Sequence, residues 1–163
     1  MAAVESHVYD DPDVVPQSFR CLGVRSWERG AIVIYHVVVA QTQGPLAGQR
    51  LRMLMCQILE RDPSSPDGWR PAGGGGFDDD PGDRRPSATM LLYAYGMRPS
   101  FAMVYGCRLT PQIHAVEVAF ANGDIRRDSA TDDVFAVLSP HPTRARELRA
   151  LTRDGRIVCR YSL

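Results

Sequence analysis

Apolar and polar positions alternate most clearly over Ile113-His-Ala-Val-Glu-Val-Ala-Phe-Ala-Asn-Gly-Asp-Ile125. Val116, Val118 and Phe120 share one parity and Glu117 takes the other, the period of two expected of a half-buried strand. Asn122-Gly123 then offers two residues that tolerate positive φ, which predicts a type I′ hairpin. Asp133-Val-Phe-Ala-Val-Leu138 reads as another strand, and Leu148 to Tyr161 as a strand pair around Asp154-Gly155. Upstream, Phe19 to Val24 is a first strand candidate. Ala31-Ile-Val-Ile-Tyr-His-Val-Val-Val-Ala40 is the strongest, because its β-branched side chains crowd a helix but suit a pleated surface. Apolar residues fill both parities there, so a central strand covered on both faces is expected. Met90 to Tyr95 and Phe101 to Gly106 complete the strand candidates.

Leu51 to Leu59 fits two templates. Leu51, Leu54, Met55, Ile58 and Leu59 follow the helical stripe, whereas Leu51, Met53 and Met55 fit a strand. Periodicity alone favours helix, and the antiparallel, short-looped surroundings favour strand; strand is preferred here. Pro63-Ser-Ser-Pro-Asp-Gly68 is a turn, and residues 73–83 form a Gly/Asp-rich loop. Residues 1–18, acidic and punctuated by proline, form an extended arm. The sum is an all-β chain of eight to ten short strands. It predicts one two-layer antiparallel β-sandwich of immunoglobulin-like character over residues 19–163.

Composition narrows the classes. The 163 residues suffice for one domain with a sizeable core, and 44% hydrophobic with 23% charged content is that of an ordinary globule. Nineteen basic and nineteen acidic residues cancel, which argues against a nucleic-acid binder. Every basic residue is arginine, scattered along the chain, as a GC-rich genome would produce. No run approaches the roughly eighteen apolar residues of a membrane span, and the N-terminus lacks the pattern of a signal peptide. A soluble, cytoplasmic protein is the expectation. Cys21, Cys56, Cys107 and Cys159 never form a Cys-x-x-Cys pair, so zinc is not indicated. Each sits in an apolar run and reads as a buried free thiol.

Candidate chemistry is sparse. Gly73 to Gly76 suggests a phosphate loop, but Phe77 and aspartates follow where lysine and a hydroxyl are needed; a flexible connection, or a glycine bulge ending a strand, fits better. Asp78, Asp79, Asp80 and Asp83 are weak metal candidates, since calcium wants six to eight oxygens and the EF-hand spacing and closing glutamate are absent. His7, His36, His114 and His141 are dispersed, and no Gly-x-Ser-x-Gly elbow exists. Tyr93, Tyr95, Phe101 and Tyr105 are a dense aromatic stretch without interleaved arginine, and read as packing rather than as a base-stacking platform.

Val104-Tyr-Gly-Cys-Arg-Leu-Thr-Pro-Gln-Ile-His-Ala-Val-Glu-Val-Ala-Phe-Ala-Asn-Gly123, then Asp133 to Leu138, then Glu147-Leu-Arg-Ala-Leu-Thr-Arg-Asp-Gly-Arg-Ile-Val158, with Gly68-Trp69 and the glycine run before them, resembles the closing string of a small all-β domain in uncharacterised bacterial proteins. The resemblance covers about residues 68 to 161. It implies a sandwich and supports strand at residues 50–60. It carries no activity, catalytic residue or cofactor. A non-enzymatic module is therefore expected, binding a protein partner through an edge strand or the 73–83 loop. The alternative is a ligand carrier or small enzyme with a pocket between the sheets.

Overall fold

The structure, a computed structural model, describes residues 2–78, 91–97 and 101–163. The strands are β1 Arg20–Trp27, β2 Gly30–Ala40, β3 Arg50–Arg61, β4 Trp69–Asp78, β5 Leu91–Met97, β6 Ala102–Arg108, β7 Ala115–Phe120, β8 Ile125–Asp128, β9 Val134–Ser139, β10 Ala145–Leu151 and β11 Ile157–Ser162. All pair antiparallel. Contacts divide the chain into two compact units, Met1–Asp80 and Pro81–Leu163, where the strand count alone suggested one domain over 19–163.

The first unit is a four-stranded meander in the order β1-β2-β3-β4. β2 and β3 pair over eleven residues without a shift, from Gly30↔Glu60 to Ala40↔Arg50, so Leu51 to Leu59 is strand. Both parities of β2 are buried, Ile32 and Ile34 on one face and Val33, Tyr35 and Val37 on the other, as its unbroken apolar run requires. Ala2–Tyr9 is a short helix, α1, not the extended arm expected of residues 1–18. The aspartates and prolines that disfavour helix begin only at Asp10. Val4 and Val8, one turn apart, are buried against Val33, Tyr35 and Val37. Beyond α1 the chain stays tied to β2, since the Val15 N–H donates to Val38 O at 2.9 Å and the Ala40 N–H to Asp13 O at 2.7 Å.

The second unit carries two sheets, β5-β6-β9 and β11-β10-β7-β8. One core joins them: Leu91, Val104, Phe135 and Val137 from the first interdigitate with Val116, Val118, Phe120 and Leu148 from the second. This is the two-layer sandwich. Phe120 and Phe135 are both buried, as the alternation required. The Asn122-Gly123 turn is not type I′, because Gly123 has φ 91° and Asn122 is absent from the residues at positive φ. The Gly123 N–H closes a four-residue turn on Phe120 O at 3.0 Å, and the Phe120 N–H reaches Asp124 O at 2.8 Å. That is a three-residue loop ending in a glycine bulge. Thr152 to Arg156 repeats it, with the Gly155 N–H on Thr152 O at 3.0 Å.

Candidate functional site

Gly73 to Gly76 are not a loop; they are the middle of β4, paired residue by residue with β3 from Ile58↔Gly73 to Met55↔Gly76. Glycine is a poor strand former, so the reason lies in its neighbour. A Cβ on Gly74 would stand 2.5 Å from Cys56 O, and one on Gly76 would overlap Met55 Sδ and lie 2.8 Å from Leu54 O. The two backbones come closer than a side chain permits, and glycine is what lets them. Ahead of the run, Leu59 pairs with Pro71 and Ile58 with Gly73, leaving Ala72 as the extra residue of a bulge. The buried Gln57 amide serves that irregularity: its Nε2 donates to Gly73 O at 2.7 Å and to Ile58 O at 3.3 Å. Trp69, at the start of β4, lies under the Arg61 guanidinium, 4.9 Å from the ring centroid.

β4 is an edge strand, and Gly74, Gly75 and Gly76 are exposed on it. Its outer row of backbone groups carries no side-chain shield at these three positions. Edge strands are usually blunted by charge, proline or a bulge. Here Pro71 and the bulge occupy the first half of the strand, and among the described residues no strand pairs with the outer side of the glycine half.

The weak metal candidates do not assemble into a described site. Asp78 is the last residue of β4, its backbone opposite Met53, while Asp79, Asp80 and Asp83 lie outside the described residues. Among the described residues, no group of three or more His, Cys, Asp or Glu is placed to hold a metal ion. The histidines stay apart: His36 is half-buried on β2, and His114 and His141 are exposed. None of the four cysteines is in a disulfide, and only Cys56 is fully buried. Cys21 is exposed, against the expectation of a buried thiol; it sits near the start of the edge strand β1, at a register shift in its pairing with β2. Of the aromatic stretch, Phe101 and Tyr105 are buried and Tyr93 meets Tyr161 at 5.4 Å, which is packing; the Tyr95 side chain lies outside what is described.

A surface recess of about 460 Å³ opens where Gln112 and His114 meet Thr152, Arg153 and Asp154. By residue type it holds a hydroxyl, an imidazole and a carboxylate. The hydrogen bonds deny it the order of a triad, in which the base must hold the nucleophile's proton. Thr152 Oγ1 donates to Asp154 Oδ1 or to Arg156 O, and accepts from the Arg156 N–H at 3.0 Å. Asp154 Oδ2 is 3.0 Å from Arg156 Nε. These groups build the turn.

A second polar cluster crosses the outward face of β7, β10 and β11. Arg149 reaches Glu117 at 2.9 Å and Glu147 at 2.7 Å, and Arg160 reaches Glu147 at 3.1 Å. Hydrogen bonding from Arg149 and the nearby guanidinium charges hold the Glu147 carboxyl below the usual carboxylate range. A general acid for glycoside cleavage needs the opposite shift, so this pair of carboxylates serves as counterions to arginine. Between the two sheets of the second unit, the buried side chains form one apolar cluster.

No family model matches the chain, and no curated protein or solved structure does. The glycine edge was missed as a strand because a run of glycine carries no alternation. The signals at hand were its ends: a turn at Pro63–Gly68 immediately before Trp69, and a strand of matching length upstream.

Proposed function

We propose that this chain is a non-enzymatic binding module that accepts an extended polypeptide segment as an added strand along β4. The observation carrying the reading is the exposed glycine run at Gly74–Gly76 on a sheet edge. An incoming strand needs unpaired backbone donors and acceptors and no side chains in its way, and main-chain pairing then supplies the affinity. The hydrogen bonds that commit Thr152 and Asp154 to their turn favour this over an enzyme acting at that recess.

Hydrogen exchange tests it. Chain immobilised and loaded from an extract of its source should bind proteins that slow exchange within residues 69–78. Gly75→Lys, which puts a charge on the exposed edge, should abolish that protection while leaving the thermal melt in place. Protection elsewhere, or protection unchanged in the variant, would refute the reading.

A further inference from the structure

We infer that Asn122 is a site of spontaneous, one-way modification, and that the β7–β8 loop holds it unreactive through Asp124, a positioning residue. The chain contains no other asparagine, and this one precedes a glycine. Both residues are exposed, so water reaches them, and water is the only co-reactant needed. The Gly123 nitrogen loses its proton and bonds to Asn122 Cγ, while the Cγ–Nδ2 bond breaks and Nδ2 takes up a proton and leaves as ammonia. One water then opens the cyclic imide at either of its carbonyls, giving aspartate or isoaspartate. Glycine is the neighbour that favours ring closure, because it has no Cβ to obstruct the approach.

The folded loop opposes each part of that step. The attacking N–H is committed to Phe120 O at 3.0 Å, and a bonded amide gives up its proton only on local opening. Asn122 Oδ1 accepts the Asp124 N–H at 3.2 Å, and Asn122 Nδ2 donates to Asp124 Oδ2, also at 3.2 Å. Arg126 Nη2 lies 3.4 Å from the same Asp124 oxygen and steadies it. Held at both polar atoms, the side-chain amide is not free to rotate onto the Gly123 nitrogen. Reaction is confined to the fraction of time the loop is open, and its rate falls by that fraction. Once made, the change persists. A second carboxylate then stands beside Asp124, and isoaspartate adds a backbone carbon to the short loop that sets the register from Ala119↔Ile125 to Val116↔Asp128. Asp128 Oδ2 accepts the Ala136 N–H of β9 at 2.7 Å, so a slipped β8 loosens a tie between the two sheets.

Intact mass of the full chain, followed over time at mildly alkaline pH, reads the change from amide to acid, and tryptic peptide 109–126 locates it. The folded chain should react at least roughly tenfold more slowly than the chain unfolded in guanidinium. Asp124→Ala removes one acceptor and should speed the folded chain roughly fivefold, the effect expected of a single hydrogen bond. Asp124→Asn keeps an acceptor oxygen without the charge and should stay near the wild-type rate. Hydrogen exchange across residues 115–128 checks that each variant keeps the hairpin; where Asp124→Ala opens it, Asp124→Asn and the ratio of folded to unfolded rates decide alone. The purified isoaspartate product should exchange faster than the unmodified chain over β8. Equal rates for folded and unfolded chain, a folded Asp124→Ala that reacts like wild type, an Asp124→Asn rate well above wild type, or a product with unchanged β8 exchange would each overturn the proposal.

Discussion

Replacing Phe135 with alanine should produce one of the largest stability losses available in the second unit. The ring is fully buried, at 0% exposure, in the core shared by both sheets. A buried Phe removes about 150–250 Å² from water, and at about 25 cal/mol/Å² this is worth roughly 4–6 kcal/mol in all. Alanine keeps a share of that, while the vacated volume adds a cavity cost because neighbours on β6, β7 and β10 relax only in part. The net expectation is about 3–5 kcal/mol, a large fraction of the roughly 5–15 kcal/mol that holds a typical domain. With a urea m-value of about 1.5 kcal/mol/M, the midpoint should fall by about 2–3 M. Trp27 and Trp69 both lie in the first unit, so their fluorescence is the wrong reporter. Far-UV circular dichroism, and hydrogen exchange of peptides spanning β7, β9 and β10, read the affected sheets directly. Ile125→Ala is the control: Ile125 is 55% exposed and its loss should stay within about 0.5 kcal/mol. A loss below about 1 kcal/mol for Phe135→Ala, or equal losses for the two variants, would show that the interior face of β9 is misassigned.

Gly74→Ala should destabilise the first unit by more than the few tenths of a kcal/mol of a tolerated surface change, because its Cβ would press to 2.5 Å from the Cys56 carbonyl; a denaturant melt matching wild type would remove the close-approach argument for the glycine strand. Thiol titration of the folded chain should modify Cys21 first and Cys56 only on unfolding, following their exposed and buried positions; rapid labelling of Cys56 would contradict the packing of β3. Burial, and secondarily the neighbouring Cys56, pushes the Tyr35 phenol up to about 12. Folding thus favours the neutral form, so this stability is fully present below about pH 10 and is lost as pH rises from there through about 12. Tyr35→Phe should flatten the alkaline loss in that window, and an unchanged alkaline melt would show that another group governs it.

Alternation and turn chemistry determined the β class, the strands of the C-terminal half and the burial of Phe120 and Phe135. Those signals are local, since a period of two and a glycine after a polar turn residue act within a few positions. The strand at Leu51 to Leu59 came from context, its own period being ambiguous, and the unshifted eleven-residue pairing with β2 decided it. What the chain could not announce were features made by distant residues meeting. Val4 and Val8 become the buried side of a helix only because Val33, Tyr35 and Val37 lie beneath them. Cys21 sits exposed on β1, the strand that ends its sheet. The Asn122-Gly123 loop took the bulged form, although its dipeptide suits either hairpin turn. Above all, the glycine run reads as slack until the carbonyls of Leu54 and Cys56 and the Met55 side chain are seen to occupy the space that Cβ atoms on Gly74 and Gly76 would need. Glycine itself encodes no direction; the strand beside it supplies one, and by bringing no side chain to the exposed edge at Gly74–Gly76 it creates the surface on which the proposed function rests.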